Sequence, residues 1–188
     1  MVVMGLLAGA FIALGGLVSV TVGAGGDALP YGVVQFMSGL VFTVGLAMVI
    51  VGGAELFTGN TMTVPVALLE KKTTASQLAT NWGVVYVTNF VGSIAVAALV
   101  LISGQYAAGE GTVGEQMLEG ALTKAELTFA EATASGILAN FLVCMGVWLA
   151  YSARSTVDKV AGLLLPIWAF VAAGLEHSVA NMFLVPIG

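Results

Sequence analysis

The 188-residue chain is 59% hydrophobic and 8% charged, with a mean hydropathy of +1.05; a water-soluble domain carries about a quarter charged residues, so one soluble core is excluded. A formal charge of −5 and a pI near 4.6 leave no basic face for nucleic acid. A single cysteine, Cys144, excludes an internal disulfide and a thiolate zinc site.

The apolar residues fall in runs near the roughly 20 residues that cross a bilayer. The first run, about Val2 to Ala24, closes at Gly25-Gly26-Asp27 before Pro30. It has no basic leader and exceeds the apolar centre of a signal peptide, so it reads as a span. The second runs from about Gly32 to Gly53, is interrupted by Glu55 and Thr58-Gly59-Asn60-Thr61, and resumes to Leu69 as a broken helix. A third span is expected from Leu78 to Ser103, followed by a Gly-rich acidic loop from Gly104 to Glu126. The fourth covers about Phe129 to Tyr151; the fifth, about Val160 to Gly174, breaks at Glu176-His177-Ser178 and resumes to Gly188. One channel domain, 1–188, is expected, with halves of about 1–104 and 126–188. Five spans are present and a sixth is missing, so the chain reads as a C-terminally incomplete portion of a longer transporter.

Lys71 and Lys72 follow span two, and Arg154 and Lys159 lie between spans four and five. Both loops fall on one side, which the excess of basic residues makes cytoplasmic. The acidic loop with Lys124 is then external.

Glu55 and Asn60 in the first break recur at the same spacing as Glu176 and Asn181 in the second, each pair followed by a methionine, Met62 and Met182. An odd number of spans between the halves gives the two repeats opposite orientations, the plan of many channels whose pathways lie at broken helices near the midplane. Backbone freed from helical bonding at membrane depth must be buried in protein or line water. Glu55 and Glu176 are accordingly assigned to anchor the loops by accepting hydrogen bonds from freed backbone amides. His177 has the chemistry for a functional role, because an imidazole with an ordinary pKa of about 6.5 donates hydrogen bonds in either state. The sequence contains no nucleophile set, metal cluster or phosphate loop, so neither catalysis nor a cofactor is expected.

Gly53-Ala54-Glu55-Leu56-Phe57-Thr58-Gly59-Asn60 and Gly174-Leu175-Glu176-His177-Ser178-Val179-Ala180-Asn181-Met182 resemble the two signature segments of the formate/nitrite transporter family. Asn81-Trp82, Asn89-Phe90-Val91-Gly92 and Gly136-Ile137-Leu138-Ala139-Asn140 with Val143-Cys144 extend the resemblance in the same order. It implies an all-α, aquaporin-like inverted-repeat bundle with breaks in spans two and five. It also implies a homopentamer in the cell (inner) membrane that conducts formate, or hydrosulfide or nitrite, with proton coupling through a central histidine. The same resemblance implies an inner constriction at Leu56, Phe57 and Val143, an outer one at Leu46 and Phe170, and a polar centre of His177 and Thr58. Asn140 would line the inner side, and Lys124 would draw anions to the vestibule. By spacing alone the five apolar residues read as core packing. A neutral-solute channel of the aquaporin type, which would show paired Asn-Pro-Ala motifs, and a non-transporting structural subunit are the alternatives.

Overall fold

The computed structural model describes residues 1–188, the side chain of Asp27 excepted. Among the described residues there are eight α-helices and no strands: α1 Val2–Gly23, α2 Tyr31–Gly52, α3 Phe57–Leu69, α4 Ala75–Ser103, α5 Thr112–Ala125, α6 Phe129–Ser152, α7 Thr156–Ala172 and α8 Ser178–Ile187. Helices α1, α2, α4 and α6, of 22, 22, 29 and 24 residues, are long and apolar enough to cross a membrane. The second expected span is divided into α2 and the 13-residue α3, and the fifth into α7 and the ten-residue α8.

Helix α1 packs against α2, α4 and α8; α2 also packs on α7, and α7 on α6. Between apolar helices in lipid, association depends on close van der Waals approach, which small residues permit. The α1–α4 contact is of this kind: a Cβ on Gly9 would land on the Asn89 carbonyl oxygen, and one on Gly92 on the Leu6 carbonyl oxygen. Large apolar side chains such as Val87, Leu99, Ile102, Ile137 and Phe141 stay exposed on the outer faces of α4 and α6. Capping boxes start both helices, Thr74 with Gln77 on α4 and Thr128 with Glu131 on α6.

The segment expected as an acidic loop from Gly104 to Glu126 is instead a short 3-10 stretch, Gln105–Gly111, followed by α5. Its apolar residues are sparse, but Val113, Met117 and Ala121 recur every fourth position on one helical face and are buried. Val113 and Met117 join a core cluster with Ala13, Val96, Val100 and Phe183, which ties α5 to α1, α4 and α8. Two glutamates and a lysine of α5, with Glu110 and Glu126 on either side of it, hide that stripe when the segment is read by composition alone.

Candidate functional site

The two helix breaks are built alike. Helix α2 ends on Gly53 in the left-handed conformation (φ 68°), and the Ala54 amide returns to the Val49 carbonyl at 2.9 Å. Helix α7 ends on Gly174 (φ 67°), and the Leu175 amide returns to the Phe170 carbonyl at 3.1 Å. Both are glycine-terminated helix stops of the Schellman type. Each is followed by a glutamate, an extended N-cap and a new helix: Glu55, Leu56 and α3 in the first, Glu176, His177 and α8 in the second.

The glutamates do anchor side chains, but not by the bonds expected. Asn60 Nδ2 donates to Glu55 Oε2 at 2.7 Å, and Asn181 Nδ2 donates to Glu176 Oε2 at 2.6 Å. A residue placed just before the N-cap runs beside the first helical turn, within reach of an asparagine five positions on, rather than over the helix end. The freed amides go elsewhere. Phe57 N–H donates to Asn89 Oδ1 at 2.9 Å, Glu55 N–H to the Met4 carbonyl at 3.1 Å, and Glu176 N–H to Ser135 Oγ at 2.9 Å.

His177 is 4% exposed and caps α8: its Nδ1 accepts the Ala180 amide proton at 3.0 Å. Acceptance at Nδ1 puts the proton of the neutral ring on Nε2, which lies 3.2 Å from Thr58 Oγ1 and so donates to it. Thr58, in the first turn of α3, is also buried. The ring of Phe170 stacks on the imidazole at 5.5 Å with an interplanar angle of 24°. Polar bonding continues from Thr58 along α3: Thr61 Oγ1 donates to the Thr58 carbonyl at 2.6 Å and Asn140 Nδ2 to Thr61 Oγ1 at 2.9 Å, with Asn140 Oδ1 buried and unpartnered.

Apolar side chains surround this string. Leu46, Leu56, Val143 and Phe170 are all buried and belong to one continuous cluster, which brings both expected constrictions together. Phe57 packs at the cluster's edge, with its ring edge-on to Tyr86 at 5.1 Å and Trp82 at 6.3 Å. A cavity lies on each side. One, of about 520 Å³, is lined by Val49, Gly53, Glu55, Asn60, Tyr151 and Lys159. The other, of about 590 Å³, is lined by Ser38, Phe42, Lys124, Phe170, Glu176, His177 and Asn181. Helix α2 reaches both, and the stretch from Phe42 to Val49 that separates them, with Leu46 in its middle, is about 10 Å of helix rise.

Lys124 stands in the last turn of α5, not in a free loop, and its ammonium donates to both Glu176 oxygens, at 2.8 and 2.9 Å. This is the one ion pair found among the described residues. Residues assigned no role of their own from the sequence complete the frame. Asn81 Oδ1 accepts from Asn60 Nδ2 at 3.0 Å, Trp82 Nε1 donates to the Asn60 carbonyl at 3.2 Å, and Asn89 and Ser135 hold the breaks. Asn89 carried a legible signal, an amide in the middle of a long apolar run.

The sequence profile described as formate/nitrite transporter matches residues 1–188. The chain belongs to the formate/nitrite transporter family. It is 42% identical over 184 residues to the formate channel FocA of Haemophilus influenzae, an alignment covering 98% of this chain and 64% of that protein. It is 41% identical over 183 residues to FocA of Escherichia coli, covering 97% and 64%. The chain thus spans 64% of the length of these curated relatives. Among solved structures it resembles a pentameric formate channel with formate bound, at a TM-score of 0.91 and 35% identity, covering 99% of this chain and 72% of that one. An ion channel of the same family matches at a TM-score of 0.89 and 30% identity, covering 100% and 73%. Family membership and the four long apolar helices make this a multi-pass membrane protein.

Proposed function

We propose that the chain forms the transport pathway of a channel for small monovalent anions, with formate as the preferred substrate and hydrosulfide and nitrite as further candidates. The observation that carries this reading is the buried His177–Thr58 pair inside an apolar barrier with a cavity on either side. A bare anion loses several kcal/mol of hydration on entering such a barrier. When the anion arrives, the Nε2–H of His177 turns to it from Thr58 Oγ1 and the Thr58 hydroxyl donates beside it, at the point of greatest desolvation, and Asn140 continues polar contact toward the far side. Leu46, Leu56, Phe57, Val143 and Phe170 exclude water and hydrated ions. Lys124, paired with Glu176, supplies a positive end at the edge of the second cavity. Coupled movement of a proton with the anion would let a neutral acid cross the apolar part. No step of this scheme forms or breaks a covalent bond in the protein, so the reading is of a transporter and not an enzyme.

Assembly as a homopentamer with one pathway in each protomer is part of the proposal, supported by the pentameric relative and by the apolar outer faces of α4 and α6. So is an orientation in the cell (inner) membrane with the Lys71/Lys72 and Arg154/Lys159 loops cytoplasmic. One channel domain over 1–188, in halves of about 1–104 and 126–188, belongs to the same proposal. The test is flux into proteoliposomes. Formate, nitrite and hydrosulfide should pass faster than glycerol; glycerol passage without anion passage would favour a neutral-solute channel, and no passage at all a structural subunit.

A further inference from the structure

Leu56 occupies the N-cap of α3 in an extended conformation (φ −104°, ψ 125°) and has no capping side chain. The backbone groups on both sides of it are held by one side-chain amide. Asn89 Nδ2 donates to the Glu55 carbonyl at 2.9 Å, and Asn89 Oδ1 accepts from the Phe57 amide at 2.9 Å. Pairing with the carbonyl before and the amide after a residue is how a parallel strand holds its extended neighbour, so Asn89 stands in for a missing strand. A third bond, from Nδ2 to the Gly5 carbonyl at 2.8 Å, ties the amide to α1, and Asn89 is 0% exposed. The second break needs no such clamp. His177 caps its own helix, and the side-chain tie found on the backbone there is a single bond from Glu176 N–H to Ser135 Oγ.

We propose that Asn89 is a positioning residue for the Leu56 gate: by pairing with Glu55 and Phe57 it fixes the extended turn that projects the Leu56 side chain into the apolar barrier. The proposal rests on the reading of Leu56 as part of the constriction. Without the amide, the backbone of residues 55 to 57 has no hydrogen-bond partner on α4, and only the ring contacts of Phe57 with Trp82 and Tyr86 remain there. The leucine is then free to leave the cluster it shares with Leu46 and Val143. Asn89→Asp keeps an oxygen to accept the Phe57 amide and loses at least one donated bond, because a carboxyl at a fully buried site takes up a proton and has one donor where the amide has two.

The experiment measures thiol modification at Leu56→Cys in a Cys144→Ser background, on the assembled protein in detergent, with Asn89 and with Asn89→Asp. Loss of one or two donated bonds should raise the modification rate roughly threefold to tenfold or more. Ser93→Ala is the control, because Ser93 Oγ donates to the Gly9 carbonyl at 3.1 Å and ties α4 to α1 without touching the break. It should leave the rate unchanged. Equal rates for Asn89 and Asn89→Asp, or an equal rise with Ser93→Ala, overturn the clamp. The ratio of acetate to formate flux, which does not depend on how much protein is active, is the second readout and should rise in Asn89→Asp. A ratio raised by Leu56→Ala but not by Asn89→Asp sinks the clamp and spares the channel. Absence of anion flux in the parent sinks the channel reading, while the modification rates still decide the clamp.

Discussion

Replacing His177 with phenylalanine keeps a flat ring against Phe170 and removes both hydrogen-bonding nitrogens, so both tasks of the imidazole are lost together, one read as stability and the other as flux. The first is structural: Nδ1 accepts the Ala180 amide at 3.0 Å, and loss of an N-cap costs about 1 kcal/mol. The second is the donor at Nε2, 3.2 Å from Thr58 Oγ1. A hydrogen bond to a charged group contributes about 1.5–3 kcal/mol. At about 1.4 kcal/mol per factor of ten, its loss at the barrier slows formate roughly 10- to 150-fold. The protein should therefore assemble and unfold slightly earlier, yet conduct about a tenth of the native flux or less. His177→Asn should restore the cap, because asparagine is among the best N-cap residues, and retain an amide donor. It should recover stability and part of the flux, with an altered pH dependence, since an amide does not titrate near neutrality. Formate uptake by proteoliposomes between pH 5 and 8, with oligomer retention checked by gel filtration, reads both effects. Native flux with a native pH profile in His177→Phe would refute a donor role for the imidazole.

Leu46→Ala removes the buried side chain midway between the two cavities, so it should lower stability by about 2–5 kcal/mol and also raise leak of larger monocarboxylates; unchanged size selection by flux assay returns Leu46 to simple packing. Lys124→Met strands the Glu176 carboxylate, 13% exposed, and should cost about 1–3 kcal/mol, part of which Glu176→Gln in the same chain recovers. Thermal unfolding in detergent gives the coupling, and additive losses would show that the pair contributes nothing. Gly9→Val drives a side chain into the Asn89 carbonyl and should abolish folding. Gly53→Ala meets no atom within 4 Å and should cost only the left-handed backbone preference, about 1–2 kcal/mol; equal yields of folded protein would refute the close-packing argument.

Both breaks were legible because a break in an apolar span must display glycine and polar residues, and Gly53–Asn60 and Gly174–Asn181 display them in one register. His177 stood out as the one imidazole in the chain. Its pairing with Thr58 comes from separate halves, and only the family resemblance joined them. Helix α5 was illegible for a physical reason: its buried stripe is narrow, three residues in 14, and the rest of its surface mixes charged and small residues with the exposed Leu118 and Leu122, which blurs the apolar face. The partner of Lys124 was hidden likewise, since a lysine in a supposed loop gives no hint of a carboxylate 52 positions away. The freed amides found Asn89 and Ser135 rather than the nearby glutamates because backbone direction, which sequence does not state, decides which acceptor lies in reach.

The two breaks share a glycine stop, a glutamate and an asparagine, and they part at the N-cap that follows the glutamate: Leu56 in the first, His177 in the second. An N-cap sits where the helix presents unpaired amides and the positive end of its dipole. A leucine there contributes bulk and nothing else, so the turn has to be held from outside, and the cluster around it can close. A histidine there satisfies its own helix with one nitrogen and turns the other toward Thr58, the second residue of α3. Each half thus lacks what the other supplies. In the proposed pathway the first break would provide the apolar seal and the threonine and the second the donor, and only their meeting at the His177–Thr58 contact would put a proton-bearing nitrogen inside a barrier that excludes water.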